Sequence, residues 1–317
     1  MPSKLHVLAA AVASAFVLVS CADGPDAAPR SDAVRTVQTS IGEVSVPEVI
    51  ESVVVLEGRR DLDLVLSLGL PLVGYPVETR VMDLRAPLAD ALAAVDGADG
   101  IFSAGEISLE AIARAEPTLI VGRITDVQPI LDDLQAIAPV VPVGAHGEGG
   151  TTWQEDLRLL AAATGTEAAA DDVLAQYDSR VAEVALKYAP QIAATSVVPM
   201  GYDAEGTEIE TARLQSVVLR AVGAVPSRAF AEVIASSEGE AVFGPESTFD
   251  TYNDAQAILV LLDSEEELAA AKADPLWARL PAVQSDRVFR LDRNSHEGGP
   301  ITAGKVLDVV EQMYGSL

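Results

Sequence analysis

Val53-Val54-Val55-Leu56-Glu57-Gly58-Arg59-Arg60-Asp61-Leu62-Asp63-Leu64-Val65-Leu66-Ser67-Leu68 is the stretch whose reading decides the fold. A short β-branched run passes through a turn into residues 61–68, where apolar positions recur at helical steps of three and four. The unit then repeats. Leu72-Val73-Gly74 is strand-like; residues 109–115 read as a helix ahead of Thr118-Leu119-Ile120-Val121, and residues 126–138 as another ahead of Val140-Val141-Pro142-Val143. Strands this apolar are buried on both faces, and strands alternating with helices make a parallel sheet covered on both sides. A second series starts at Thr195-Ser196-Val197-Val198. It continues through a helix at 214–222, a strand at 257–261, a helix at 265–273, a strand at 287–291 and a last helix at 303–314. Between the series, residues 167–189 place Val173, Tyr177, Val181, Val184 and Tyr188 on one helical face. At 1.5 Å per residue this gives a strut of roughly 35 Å. The expected fold is α/β: two Rossmann-like lobes with mainly parallel sheets, joined by a single long backbone helix. Residues 41–166 form the N-terminal lobe, 167–190 the inter-lobe helix and 191–317 the C-terminal lobe. A single helical connection restricts hinge closure to small motions.

Upstream of this body, Lys4 precedes an apolar run of about fifteen residues, shorter than the roughly twenty that span a bilayer. Residues 1–20 therefore read as an export signal. The run ends in Leu18-Val19-Ser20-Cys21, which resembles the lipobox of bacterial lipoproteins and implies cleavage before Cys21 and lipidation of its thiol. Cys21 is the only cysteine, so no disulfide framework stabilises the body. Residues 21–40, rich in Ala, Asp, Pro and Ser, read as a disordered tether. The chain carries 21 basic and 48 acidic residues, and loss of Lys4 with the leader takes the net charge from −27 to −28. Such a balance argues against a nucleic-acid partner. Hydrophobic content of 49% supplies an ample core.

The order of local strings resembles that of the periplasmic binding proteins serving ABC importers of iron siderophores, haem and vitamin B12. These strings are Ile41-Gly42-Glu43-Val44-Ser45-Val46-Pro47, Ser108-Leu109-Glu110-Ala111-Ile112, Glu116-Pro117-Thr118-Leu119-Ile120-Val121, Ala138-Pro139-Val140-Val141, Gly244-Pro245-Glu246-Ser247, Trp277 through Val283 to Arg287-Val288-Phe289, and Gly298-Gly299-Pro300. The sequence departs from that pattern at Thr118 and Gln256, where the family often has Asp. The resemblance implies capture of a ferric siderophore, with no cofactor, and delivery to an ABC permease and its ATPase. It also implies that Glu110 and Glu246 dock into the permease. A monomer is expected, lipid-anchored through Cys21 on the outer face of the cell membrane, in an envelope of Gram-positive type.

Ligands of open parallel sheets bind at the carboxyl ends of the strands. Candidates at those places are Arg59, Arg60, Tyr75, Arg80, Arg123 and Trp153 in the first lobe, and Tyr202, Arg213, Asn294 and His296 in the second, with Arg293 beside them. Guanidinium groups suit carboxylate or catecholate oxygens, and aromatic rings supply flat walls. Arg59-Arg60 stands at a helix start, where positive charge opposes the dipole. The bland counterpart is pairing of Arg80 and Arg123 with surface acids, rim packing of Trp153 and Tyr202, and helix-start stabilisation by Glu110. His296 beside Glu297 suggests a metal site, but the mature part has only His146 and His296, too few for a bare zinc or manganese receptor. Haem or cobalamin is the alternative ligand, with His296, Tyr75 or Tyr202 as a possible axial group for haem. No G-x-S-x-G, H-E-x-x-H, P-loop or G-x-G-x-x-G string occurs, so an enzyme is the remote alternative and a structural or adhesive lipoprotein the third class.

Overall fold

The structure is a computed structural model; it describes residues 33–77, 86–144, 150–203 and 206–317, and these form one compact unit. The leader, Cys21, Arg80 and His146 lie outside the described residues.

Among the described residues thirteen strands build three sheets. β1 (Val34–Thr39) and β2 (Gly42–Pro47) make an antiparallel hairpin in register from Val34 opposite Pro47 to Thr39 opposite Gly42. Residues 34–39, expected within the disordered tether, instead form a strand, because Val34-Arg35-Thr36-Val37-Gln38-Thr39 alternates its exposure along the strand and finds a partner in β2. Gly42 closes the turn at φ +103°, a value that suits glycine.

The first large sheet contains β3 (Val53–Val55), β4 (Leu72–Val77), β5 (Asp99–Ser103), β6 (Leu119–Arg123) and β7 (Val140–Val143), all parallel in the order β5-β4-β3-β6-β7. The chain starts at the centre, winds one way and then the other, so the strand order switches between β3 and β6. The second large sheet holds β8 (Ser196–Asp203), β9 (Gly206–Glu210), β10 (Val225–Pro226), β11 (Glu240–Phe243), β12 (Ala257–Leu262) and β13 (Val288–Asp292). Its order is β11-β9-β8-β12-β13, with β10 beside β8; β9 pairs antiparallel with both neighbours and the other pairings are parallel.

Period-two alternation assigns each strand residue to a layer. Val53 and Val55 join the inner core while Val54 faces the outer one; Ala257, Leu259 and Leu261 face in while Ile258, Val260 and Leu262 face out. The inner core runs unbroken from the first sheet through Tyr177 and Val184 of the Glu167–Lys187 helix to Val306, Val310 and Tyr314 of the Pro300–Gly315 helix and on to β8 and β12. The strut has 21 residues and so spans roughly 32 Å. Arg180 and Lys187 on it pair with Glu311 of the last helix. The expected helix at 126–138 is broken into Ile124–Val127, a 3-10 turn at Gln128–Ile130, and Leu131–Gln135. Pro129 lacks the amide proton that a continuous helix would use. Among the described residues no helix is long and apolar enough to cross a membrane.

Candidate functional site

The turn after β3 is built around Asp61. Its fully buried carboxylate accepts the amides of Leu56, Glu57, Gly58 and Leu62 at 2.7–2.8 Å. This fixes the backbone that presents Glu57 and Arg59 at the carboxyl end of β3, directly beside Arg123 at the end of β6. The place is the switch point of the first sheet, where ligands of such sheets bind.

Three expected residues meet here across the two halves. Arg59 Nη1 donates to His296 Nε2 at 2.9 Å, and its Nη2 pairs with Glu57 Oε1 at 3.2 Å. Arg123 donates through Nη1 to Glu57 Oε1 at 3.0 Å and through Nη2 to Glu297 Oε1 at 3.1 Å. Because a guanidinium only donates, Nε2 of His296 accepts, and its Nδ1–H donates to the carbonyl of Arg293 at 2.7 Å. Burial drives the His296 pKa down to about 4, aided by the charges of Arg59 and Arg213 and opposed by Glu297 and the Arg293 carbonyl. The imidazole is neutral at pH 7. Burial raises Glu57 to about 7, and the negative charge of Asp61 adds to that rise. Oε2 of Glu57 and the Nε atoms of Arg59 and Arg123 are buried with no hydrogen-bond partner among the described residues.

On the second sheet, Arg293 gathers three strand ends: its Nε bonds both Asp263 oxygens at 3.1 Å after β12, and its Nη2 donates to the Tyr202 carbonyl of β8 at 3.0 Å. The Tyr202 ring stands edge-on to Trp277 at 4.9 Å between centroids. Burial raises the Tyr202 pKa, helped by Asp274, Asp203 and Glu267. Arg213 caps no helix through its side chain; it binds Glu210 at 2.6 Å and Glu208 at 2.9 Å. Asn294 is buried in the Arg293–His296 turn, with its backbone N–H donating to the Asp292 carboxylate.

Other expected residues lie elsewhere. Trp153 is 2% exposed and packs edge-on against Tyr177, so it belongs to the core where an aromatic wall was expected; as the first residue of a capped helix it faces inward. Arg60 is held by the buried Asp156 at 3.0 Å and the Thr151 carbonyl at 3.1 Å, which ties the turn to the Trp153–Thr164 helix. Tyr75 is half-buried on β4 and packs against the inner core. Glu110 and Glu246 are exposed, on the first turn of the Leu109–Arg114 helix and in the Pro245–Ser247 turn.

Glu57 and Glu297 were not singled out as ligand-site residues, although Glu57 follows the strand at the switch point. The missed Asp63 matters as much. Its buried carboxylate accepts the amides of Gly299, Ile301 and Thr302 and the Thr302 hydroxyl at 2.6–3.0 Å, capping the last helix from the first half of the chain.

The family described as periplasmic binding protein matches residues 89–294. The probable siderophore-binding lipoprotein YfiY of Bacillus subtilis is 26% identical over 329 residues, covering 98% of this chain and 97% of that protein. The siderophore periplasmic binding protein from the fuscachelin gene cluster of Thermobifida fusca superposes with a TM-score of 0.64 at 26% identity, covering 84% of this chain and 98% of its own. Staphylococcus aureus SirA complexed with staphyloferrin B has a TM-score of 0.71 at 20% identity, covering 88% and 98% of the two chains; that likeness is one of fold.

Proposed function

Because the chain belongs to the periplasmic binding protein family, we propose that it is the solute-binding component of an ABC importer, taking an anionic ferric siderophore into the crevice between its sheets. The convergence of Arg59 and Arg123 at the switch point, opposite His296 and Glu297, carries this reading. Two always-charged forks with matching geometry suit the carboxylate or catecholate oxygens of such a chelate. Tyr202, backed by Trp277, supplies an aromatic surface at the end of β8. No chemical step on the ligand belongs to this role.

In the same reading Cys21 anchors the protein outside the cell membrane, and Glu110 and Glu246, exposed on separate halves, dock it to the permease that works with the ATPase. Haem is the less favoured occupant, since both ring nitrogens of His296 are engaged. Titration of the purified chain with a panel of ferric siderophores, haem and cobalamin tests the proposal through tryptophan fluorescence. Saturable quenching by a ferric chelate is expected, reported mainly by Trp277 beside Tyr202. No change with any ferric siderophore at micromolar concentration would refute it.

A further inference from the structure

Arg59 and Arg123 each divide their terminal nitrogens between two different acids. One arm of each reaches Glu57 Oε1, at 3.2 and 3.0 Å. The other arm faces the second half: Arg123 Nη2 meets Glu297 Oε1 at 3.1 Å, and Arg59 Nη1 lies 3.8 Å from Glu297 Oε2 while bonding His296. The two acids are held unequally. Glu57 has a side chain 7% exposed, on a backbone pinned by Asp61; Glu297 is 16% exposed, on the short link between the Arg293–His296 turn and the last helix. That link is anchored on both sides, by Asp63 at Gly299 and by His296 at the Arg293 carbonyl. Glu297 can therefore leave the arginines by side-chain rotation, with the backbone in place.

We propose that Glu297 is a carboxylate plug and a specificity-determining residue of the crevice: its oxygens occupy the arginine nitrogens that an anionic ligand takes over. Glu57 is the permanent floor that keeps both guanidiniums aimed. A chelate with two or more anionic oxygens replaces the plug charge for charge, and the released carboxylate returns to water. A neutral chelate has no anion to exchange and leaves Glu297 on the arginines, because displacing it would strand partly buried guanidinium nitrogens without an anion. The crevice thus selects carboxylate- or catecholate-type ferric chelates over neutral ones, partly by what it withholds.

The plug rests on the reading of the crevice as a chelate site, and one set of titrations separates the two. The full chain and its Glu297→Gln, Glu297→Ala and Glu57→Gln variants are titrated with ferric citrate, an anionic ferric tris-catecholate and a neutral ferric tris-hydroxamate, with thermal melts to establish folding. Both Glu297 variants should bind the anionic chelates about tenfold tighter, or about 1.4 kcal/mol, and Glu57→Gln should bind them about tenfold weaker. Affinity for the neutral chelate should change less than about twofold in the Glu297 variants. Glu297→Gln is isosteric and carries the test alone should Glu297→Ala not fold. Anionic chelates that bind the unaltered chain but do not tighten in the Glu297 variants, or an equal gain for the neutral chelate, would overturn the plug and leave the chelate reading standing. Binding of none of the three chelates by any form would overturn both.

Discussion

Asp63 and Glu57 stand on either side of the same turn; Asp63 bonds the second half of the molecule directly and Glu57 reaches it only through Arg59 and Arg123, and their surroundings differ in kind. Asp63 is fully buried and accepts five hydrogen bonds, four from the start of the last helix and one from Ser67. Glu57 is buried too, but among the described residues only Oε1 is partnered, and the Nε atoms of both its arginines lack acceptors. A polar network satisfied at every atom rigidifies; one satisfied in part costs stability and is kept where a ligand completes it. The first contact is a latch, the second belongs to the crevice proposed as the ligand site, and they lie within one stretch of seven residues, Glu57-Gly58-Arg59-Arg60-Asp61-Leu62-Asp63.

The largest effect belongs to the latch. Asp63→Ala should destabilise the fold by about 3 kcal/mol or more, since several buried donors lose their acceptor at a helix N-terminus. Urea denaturation at pH 7 measures it, and a loss under about 1 kcal/mol would show the halves are not joined there. Next comes Arg123→Leu, which leaves Glu57 with Arg59 alone. A cost of about 2 kcal/mol is expected at pH 8, and roughly half of that at pH 5, where Glu57 is protonated and needs no cation. Equal costs at the two pH values would place the loss in packing and not in charge.

The unaltered protein should show a smaller, two-sided pH dependence. Glu57 is raised from 4.5 to about 7 by burial and by Asp61, so its contribution to stability is present below pH 4.5 and is lost as pH rises through about 7. His296 is lowered from 6.5 to about 4 by burial, so its contribution is present above pH 6.5 and is lost as pH falls through about 4. Glu57→Gln should flatten the alkaline side and His296→Asn the acidic side, each by about 1–2 kcal/mol across its window, as read from unfolding midpoints.

How far the sequence reaches follows from the same contrast. Layer assignment was legible wherever burial decides it: Val54 against Val53 and Val55, or the alternation along β12, follows from period two. β9 and β11 were not, since Gly206-Thr207-Glu208-Ile209-Glu210 and Glu240-Ala241-Val242-Phe243 are short and partly polar, and pair only through the tertiary fold. The strand-end rule named Arg59, Arg123 and His296, and the structure brings these side chains to one place. The rule could not separate Arg59, which meets His296, from Arg60, whose partner Asp156 lies far along the chain. Asp63 carried no local sign beyond Ser67, as its other partners lie 236 residues and more downstream.

Glu110 provides the smallest effect and the control for the comparison. It pairs with Arg114 at 2.6 Å one helical turn away, and both side chains are largely exposed, 85% and 72%. Such a pair contributes only about 0.3 kcal/mol, since water solvates either partner once the other is removed. Glu110→Ala should therefore leave the unfolding midpoint and chelate affinity almost unchanged, in contrast to both acids of the turn. Should Glu110 dock the permease, the same substitution lowers uptake of radioactive ferric chelate by whole cells while binding by the purified protein stays intact. Docking would occur through a charge that is worth little to the fold because it is exposed, and is free for a partner for the same reason. Unchanged uptake in the Glu110→Ala, Glu246→Ala double variant would remove both glutamates from the docking surface.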